Sequence, residues 1–414
     1  MKTRAIVGAL CAVGLLSSGP MANAEDLEVL HWWTSGGESK AVGVLKDMME
    51  KQGYVWKDFA VAGGAGSNAM KVLKARVLAG TPPTATQIKG VSIDEWAEEG
   101  VLANIDAATK GWDKEIPPAI TKFLNYKGHY VAAPFWVHRL NWLYINKKLL
   151  DQVGGTPPTT WPEFFVLANK LKAAGIIPLA HGGQPWQDIN LWEGVVLSKG
   201  ADFYNKTIVD LDHGALTSAT MIDVFDTVRK IASYFDPGTA GRSWNLSSAM
   251  VIQGKAAMQM MGDWAKGEFL AANLVAGKDY LCVPRPGTAK LFMFNSDSFM
   301  FFKKDGSDAA TKGQVALAET ITSKDFQHKA AYYKGAIPAR SDVSMDGFDS
   351  CAQKSHDDFV AAIKDNALIP SLAHGMVQRD ATLGAMRDVV THFVNSNEDS
   401  KTAVQKLAQA AKVM

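Results

Sequence analysis

Residues 27–48 carry the pattern that most restricts what this chain can become: a β-prone apolar run, a glycine loop, then apolar residues at helical spacing. Leu27 to Leu30 reads as a first strand that ends at His31, Trp32 and Trp33. Thr34, Ser35, Gly36 and Gly37 form the loop, and from Glu38 onward Ala41, Val44, Leu45 and Met48 recur on one helical face. A strand that feeds a helix through a tight loop is the opening of an α/β domain. A second helix and a short strand follow downstream. Ser67 is a candidate N-cap for a helix carrying Ala69, Val72, Leu73 and Val77, which stops at Gly80 before Pro82 and Pro83. A short strand, Thr84 to Ile88, then leads into Lys89 and Gly90.

Elsewhere the clearest helix start is Thr160, whose spacing to Glu163 is that of a capping box ahead of Phe164, Leu167 and Leu171. Residues 291–302 are densely apolar and aromatic but broken by Asn295, Ser296, Asp297 and Ser298. Thr402 to Ala411 is amphipathic and closes the chain. With 414 residues, 47% of them hydrophobic, the chain can bury a large core and is expected to divide into two domains.

Residues 1–24 have the layout of a cleavable secretory signal: Lys2 and Arg4, an apolar run from Ala5 to Leu16, and the closing Ala22, Asn23 and Ala24. Leu10 directly before Cys11, with the apolar run continuing past it, argues against a lipid anchor. Cleavage would take two of the 43 Lys and Arg and none of the 42 Asp and Glu, turning a net charge of +1 into −1. Such a balance excludes nucleic acid or an anionic membrane as the main partner, since both demand clustered positive charge. Cleavage would also leave two cysteines, Cys282 and Cys351, in a compartment that permits disulfides, and they are expected to be bridged.

The chain has 12 tryptophans, several beside glycine and polar residues, as in the run from Trp32 to Glu38 and in Gly262, Asp263 and Trp264. A pyranose offers apolar C–H faces inside a rim of hydroxyls, so it is held by an aromatic plate and by carboxylate, amide, Lys or His groups around the rim. Trp32 or Trp33, and Trp264, are candidate plates. Side chains alternate along a strand, so both members of the pair can meet one ligand only if the strand has already ended. Glu38, behind two glycines, fits a helix cap as well as a site. Lys89 lies at a strand end and Asp297 interrupts an apolar run; Lys334 and His374 are unremarkable locally. Signatures of serine hydrolases, zinc proteases and phosphate-binding loops are absent. A glycosidase pair drawn from Glu38 and Asp263 or Asp297 is a weak rival, because any chain of this length offers such pairs.

Four stretches in order then carry a resemblance: His-Trp-Trp-Thr-Ser-Gly-Gly-Glu at 31–38; Asn141 to Lys147 followed by Pro157 to Trp161; Gly262, Asp263 and Trp264; and Thr322 to Gln327 leading to Gly335 to Arg340. With them the chain resembles, over essentially its whole mature length, the family 1 solute-binding proteins, the extracellular sugar-binding proteins of bacterial ABC importers. It is most similar to the glucose- and mannose-binding members. The resemblance implies an α/β fold of the two-lobe periplasmic-binding-protein type (type II), with discontinuous lobes joined by a three-segment hinge and the ligand cleft between them. The expected lobes are 25–136 with 290–345, and 137–289 with 346–414, with crossings near Trp136, Ala289 and Met345. It also implies ligand contacts from Trp32, Trp33, Glu38, Lys89, Trp264, Asp297, Lys334 and His374, with Ser67 and Asn68 at the start of their helix; Trp136 and Arg139, near the first crossing, are further candidates. The implied protein is a periplasmic monomer, not an enzyme, without cofactor or metal. It would hand a hexose to the membrane permease subunits of an importer; a longer oligosaccharide or another polyol is the alternative ligand.

Overall fold

The computed structural model describes residues 25–413, so the signal-peptide reading of 1–24 lies outside the described residues. The strands of its two main sheets, in chain order, are β1 (Asp26–His31), β2 (Val55–Ala60), β3 (Ala85–Lys89), β4 (Ala132–Arg139), β5 (Trp142–Asn146), β6 (Ile177–Leu179), β7 (Ala256–Met261), β8 (Tyr280–Pro284), β9 (Phe292–Phe301), β10 (Ile337–Pro338) and β11 (Leu368–Pro370). The first runs β10-β4-β9-β3-β1-β2, with β11 on one end of β9; the second runs β8-β5-β7-β6. In the first, β1 is parallel to β2 and β3, whereas β9 is antiparallel to β3 and β4. The fold is therefore α/β with two mixed sheets.

Each sheet has its own apolar core. Trp33, Trp56, Trp112, Phe135, Trp136 and Phe299 belong to the first, and Trp142, Trp192, Tyr204, Phe225 and Phe393 to the second. The chain leaves the first sheet at Leu140 and Asn141 and returns through residues 285–291. Buried Asn141 fastens these two passages. Its Nδ2 donates to the carbonyls of Thr288 and Leu291, and its Oδ1 accepts from the Met293 amide at 3.2 Å. A buried amide on one passage whose partners lie on the other satisfies its own polar groups and fixes the path of the backbone. Residues 346–370, expected with the second lobe, include β11, which pairs with β9 of the first sheet. The helices Asp380–Val394 and Ser400–Ala410 then join the second core.

Several local expectations are met closely. The helix Trp161–Ala173 begins at a Thr160–Glu163 capping box, and Cys282 and Cys351 are joined, their Cα atoms 6.0 Å apart. Two differ. Ser67 is the first residue of its helix, and the cap before it is Gly66 at φ +84°, a left-handed conformation open to glycine. The polar run 295–298 does not break the apolar segment: β9 passes straight through it, with a register irregularity between Asp297 and Ser298. The extra residue is Phe135 on β4, left out of the pairing, and a bulge of this kind interrupts the ladder locally and re-aims side chains. Among the described residues no helix is long and apolar enough to cross a membrane.

Candidate functional site

A cavity of about 390 Å³ lies between the elements of the two sheets. Of the residues expected at a site, Trp32, Trp33, Glu38, Asn68, Lys89, Trp264, Asp297, Lys334 and His374 all line it, and Ser67 lines a smaller adjoining cavity. Trp136 and Arg139 lie beneath it, fully buried.

The first sheet supplies one wall. β1 ends at His31, so Trp32 and Trp33 leave the strict alternation of a strand and part ways. Trp33 is 2% exposed and packs into the core against Phe135 and Trp136, with ring centroids at 5.0 and 4.9 Å. Trp32 turns its ring toward the cavity. Lys89, at the end of β3, holds its ammonium 5.2 Å from the centre of that ring, and Gly66 lies so close below that a β-carbon there would stand 2.8 Å from the indole. Burial lowers the Lys89 pKa, against the opposing pull of Asp297.

Glu38 serves two masters. Its Oε2 accepts from the amides of Thr34 and Ser35, completing the N-terminus of the helix Gly36–Lys51, and its Oε1 meets Lys334 Nζ at 2.8 Å. A carboxylate at a helix start also complements the helix dipole. Both charges of the pair are buried and each is compensated by the other.

At the floor, His138 bridges two carboxylates. Its Nδ1 bonds Asp263, and its Nε2 lies 3.2 Å from Asp297 Oδ2, which also accepts from Trp136 Nε1 at 3.0 Å. Burial opposes a charge on this imidazole, but the two carboxylates outweigh it and raise the pKa. Burial likewise opposes ionisation of Asp297; His138, Lys89 and Lys334 together hold its pKa far below the ordinary carboxylate range. Asp297 thus stays ionised and offers no proton for glycosidic acid catalysis.

The second wall comes from the other sheet's elements. Trp264 follows β7, and its ring folds back over Gly262 so tightly that any β-carbon there would collide with it. Asp263 between them ties the turn to β4 through His138 and through the Arg139 amide at 2.9 Å. His374 sits 5.2 Å from Trp264 and 5.9 Å from Trp186, centroid to centroid. Burial, reinforced by Lys89, pushes its pKa well down, so the ring is neutral.

The cavity also contains residues that the sequence reasoning passed over: His138, Gln184, Trp186, Ser243, Trp244, Asn245 and Asn295. Trp186 carried the same signal as the tryptophans that were picked out, since it follows Gly182, Gly183, Gln184 and Pro185. His138 carried none; only the strand pairing brings it between Asp263 and Asp297. Ser35 Oγ and Asn295 Oδ1 are buried with no hydrogen-bond partner among the described residues. Among the described residues no group of three or more His, Cys, Asp or Glu is gathered as a metal site.

Compared with known proteins, residues 46–343 match the family model of the bacterial extracellular solute-binding proteins. The chain is 47% identical to a probable sugar-binding periplasmic protein of Brucella melitensis, over 99% of this chain and 98% of that one. It is 48% identical to a protein of the same description from Rhizobium meliloti, over 97% of each. In structure it is similar to the bacterial solute receptor AcbH, described as having an exclusive preference for β-D-galactopyranose, with a TM-score of 0.79 over 94% of this chain and 98% of that one. At 18% identity that last likeness is one of fold.

Proposed function

The chain belongs to the family of bacterial extracellular solute-binding proteins, and from that premise we propose that it binds a neutral hexose, glucose before mannose, for delivery to an ABC importer. The family is one of binding proteins rather than enzymes, acting outside the cytoplasmic membrane. The observation that carries the choice of ligand is a charge-balanced set of polar groups between aromatic walls. Glu38 is paired with Lys334, and Asp263 and Asp297 are offset by His138 and Lys89, so three carboxylates meet three cations and the cavity carries no surplus charge to attract an ion. Trp32, Trp186, Trp244 and Trp264 supply flat apolar surface for C–H faces. Asn68, Asn295, Ser35 and the charged groups supply donors and acceptors for the hydroxyls.

In this reading the two lobes, one built on each sheet, close over the sugar, because contacts from both sides favour the closed state. The permease reads that closed shape. A second reading, a longer saccharide, is favoured by the adjoining cavity of about 230 Å³, which shares Trp32, Lys89, Trp186 and His374 with the first and adds Ser67, Lys71, Ser92, Asp380 and Arg387.

Titration calorimetry of protein unfolded and refolded to strip carried ligand tests both. Glucose, mannose, galactose and maltose are added in turn. Tight one-to-one binding of glucose with weaker mannose supports the first reading; maltose binding more tightly than any hexose replaces it with the second. No heat from any of the four, with the protein folded, sinks the hexose assignment.

A further inference from the structure

Glu193 is an acid buried where acids rarely are. It sits in the middle of the helix Pro185–Leu197, whose residues from Trp186 onward are all buried, and its own side chain has no solvent exposure. Three donors and a hydroxyl meet it. Oε1 accepts from Ser371 Oγ at 2.7 Å and from Asn190 Nδ2 at 3.4 Å; Oε2 accepts from the Ala373 amide at 3.1 Å and lies 3.4 Å from the Tyr204 hydroxyl, which donates to the nearer Pro370 carbonyl at 2.9 Å. Two of these partners belong to the turn 371–374 that carries His374 into the cavity. Ser371 Oγ lies 3.1 Å from His374 Nδ1 and 3.3 Å from the His374 amide.

A serine hydroxyl has one proton to give. Spent on the Glu193 carboxylate, it leaves Ser371 Oγ as an acceptor on its other side, so the proton of the neutral His374 ring must reside on Nδ1. Nε2 then carries the lone pair. That nitrogen has no hydrogen-bond partner among the described residues, on a ring that lines the cavity. We infer that Glu193 is a positioning residue for the site: through Ser371 it holds the His374 proton on Nδ1 and presents Nε2 as an acceptor to a ligand hydroxyl. The ligand clause rests on the sugar-binding reading; the tautomer does not.

The chain of bonds can also be reversed. Burial raises the Glu193 pKa to about 7, against Ser371, the Ala373 amide and Arg285. A proton taken up on Oε1, the oxygen 2.7 Å from Ser371 Oγ, reverses the chain. Glu193 would then donate to Ser371, Ser371 to Nδ1, and the ring proton would move to Nε2. One proton enters, none is lost, and His374 stays neutral. The charged and titratable groups around the relay are Arg285 and Tyr204 beside Glu193, and Lys89, His138, Asp297 and Arg285 around His374.

Nitrogen-15 NMR of histidine-labelled, ligand-free protein reads the tautomer directly, with His374 assigned by its absence in His374→Gln. The expected spectrum shows Nδ1–H at about pH 8 and Nε2–H at about pH 6. In Glu193→Gln the amide oxygen is kept by the Ala373 N–H, so the NH₂ faces Ser371 and Nε2–H is expected at both pH values. Nε2–H in the wild type at the higher pH, or an unchanged tautomer in the variant, overturns the inference; should the variant fail to fold, the wild-type pair of spectra decides. Calorimetry with glucose supplies the second arm, where a wild-type affinity that shifts about tenfold through neutrality and a flat profile in the variant are expected. The expected tautomer without glucose binding upholds Glu193's positioning role and rejects the sugar reading instead.

Discussion

His138 Nε2 stands 3.2 Å from Asp297 Oδ2, while the other ring nitrogen is bonded to Asp263, so one imidazole from β4 joins a carboxylate on β9 to a carboxylate that follows β7. The two sheets meet through it at the floor of the cavity. A buried cation between two carboxylates is stable only while all three charges are present.

That arrangement sets a pH dependence with a definite sign. The folded state raises the His138 pKa above its usual value near 6.5. Its contribution to stability is therefore fully present below about pH 6.5 and is lost as the pH rises through the folded value. The advantage of wild type over His138→Gln, measured as the difference in urea midpoint between pH 6 and pH 9, should be largest at the acid end and shrink toward the alkaline end. An advantage that grows with pH contradicts a protonated His138.

The tryptophan pair separates stability from binding. Trp33→Ala removes a ring packed on Phe135 and Trp136, and should cost about 3–5 kcal/mol in denaturant unfolding. Trp32→Ala removes a ring at the cavity, 8% exposed, backed by Gly66 and Lys89. It should weaken glucose binding by about 2 kcal/mol or more, with a smaller loss of stability than Trp33→Ala. Equal losses of affinity from the two variants would mean that both rings bear on the ligand.

This pair also shows how far the sequence could be read. Alternation along β1 was legible, and so was the glycine loop that ends it. What decides between Trp32 and Trp33 is Phe135, Trp136 and Phe299, which arrive from β4 and β9 more than a hundred residues later. Such pairing leaves no local trace. Glu38 was legible in both of its guises, cap and candidate site residue, because the first is written in its own helix start. Its partner Lys334 comes from 296 residues away and was reached only through family likeness. His138 was missed for the same reason, since a lone histidine inside an apolar strand looks like any satisfied core residue.

The disulfide should act on stability and leave the cavity alone. Cys282 lies on β8 and Cys351 in the helix Ser350–Lys364, and neither lines the cavity. Their bond closes a loop over a separation of 69 residues, for which the chain-entropy model gives roughly 4 kcal/mol. Cys282→Ser with Cys351→Ser should lower the unfolding free energy by about that much, while glucose affinity measured well below the melting temperature stays within about twofold. A large loss of affinity in folded protein would show that the bond holds the cavity in shape.

Gly262 provides the most local test of the second wall. A β-carbon there runs into the six-membered ring of Trp264, and the obstacle is a side chain fixed by its own neighbours, His138, Trp186 and His374. Gly262→Ala must therefore push the indole outward or shift the turn that holds Asp263 against β4. The φ of Gly262 is not among the positive values, so alanine brings no backbone penalty of its own. The expected result is a folded protein whose glucose affinity falls about tenfold or more and whose tryptophan fluorescence changes before any sugar is added. Replacing the ring as well, in Gly262→Ala with Trp264→Ala, should cost no more affinity than Trp264→Ala alone, because the clash vanishes with the ring. If the losses instead add, Gly262 acts through the Asp263 turn and not through the aromatic wall.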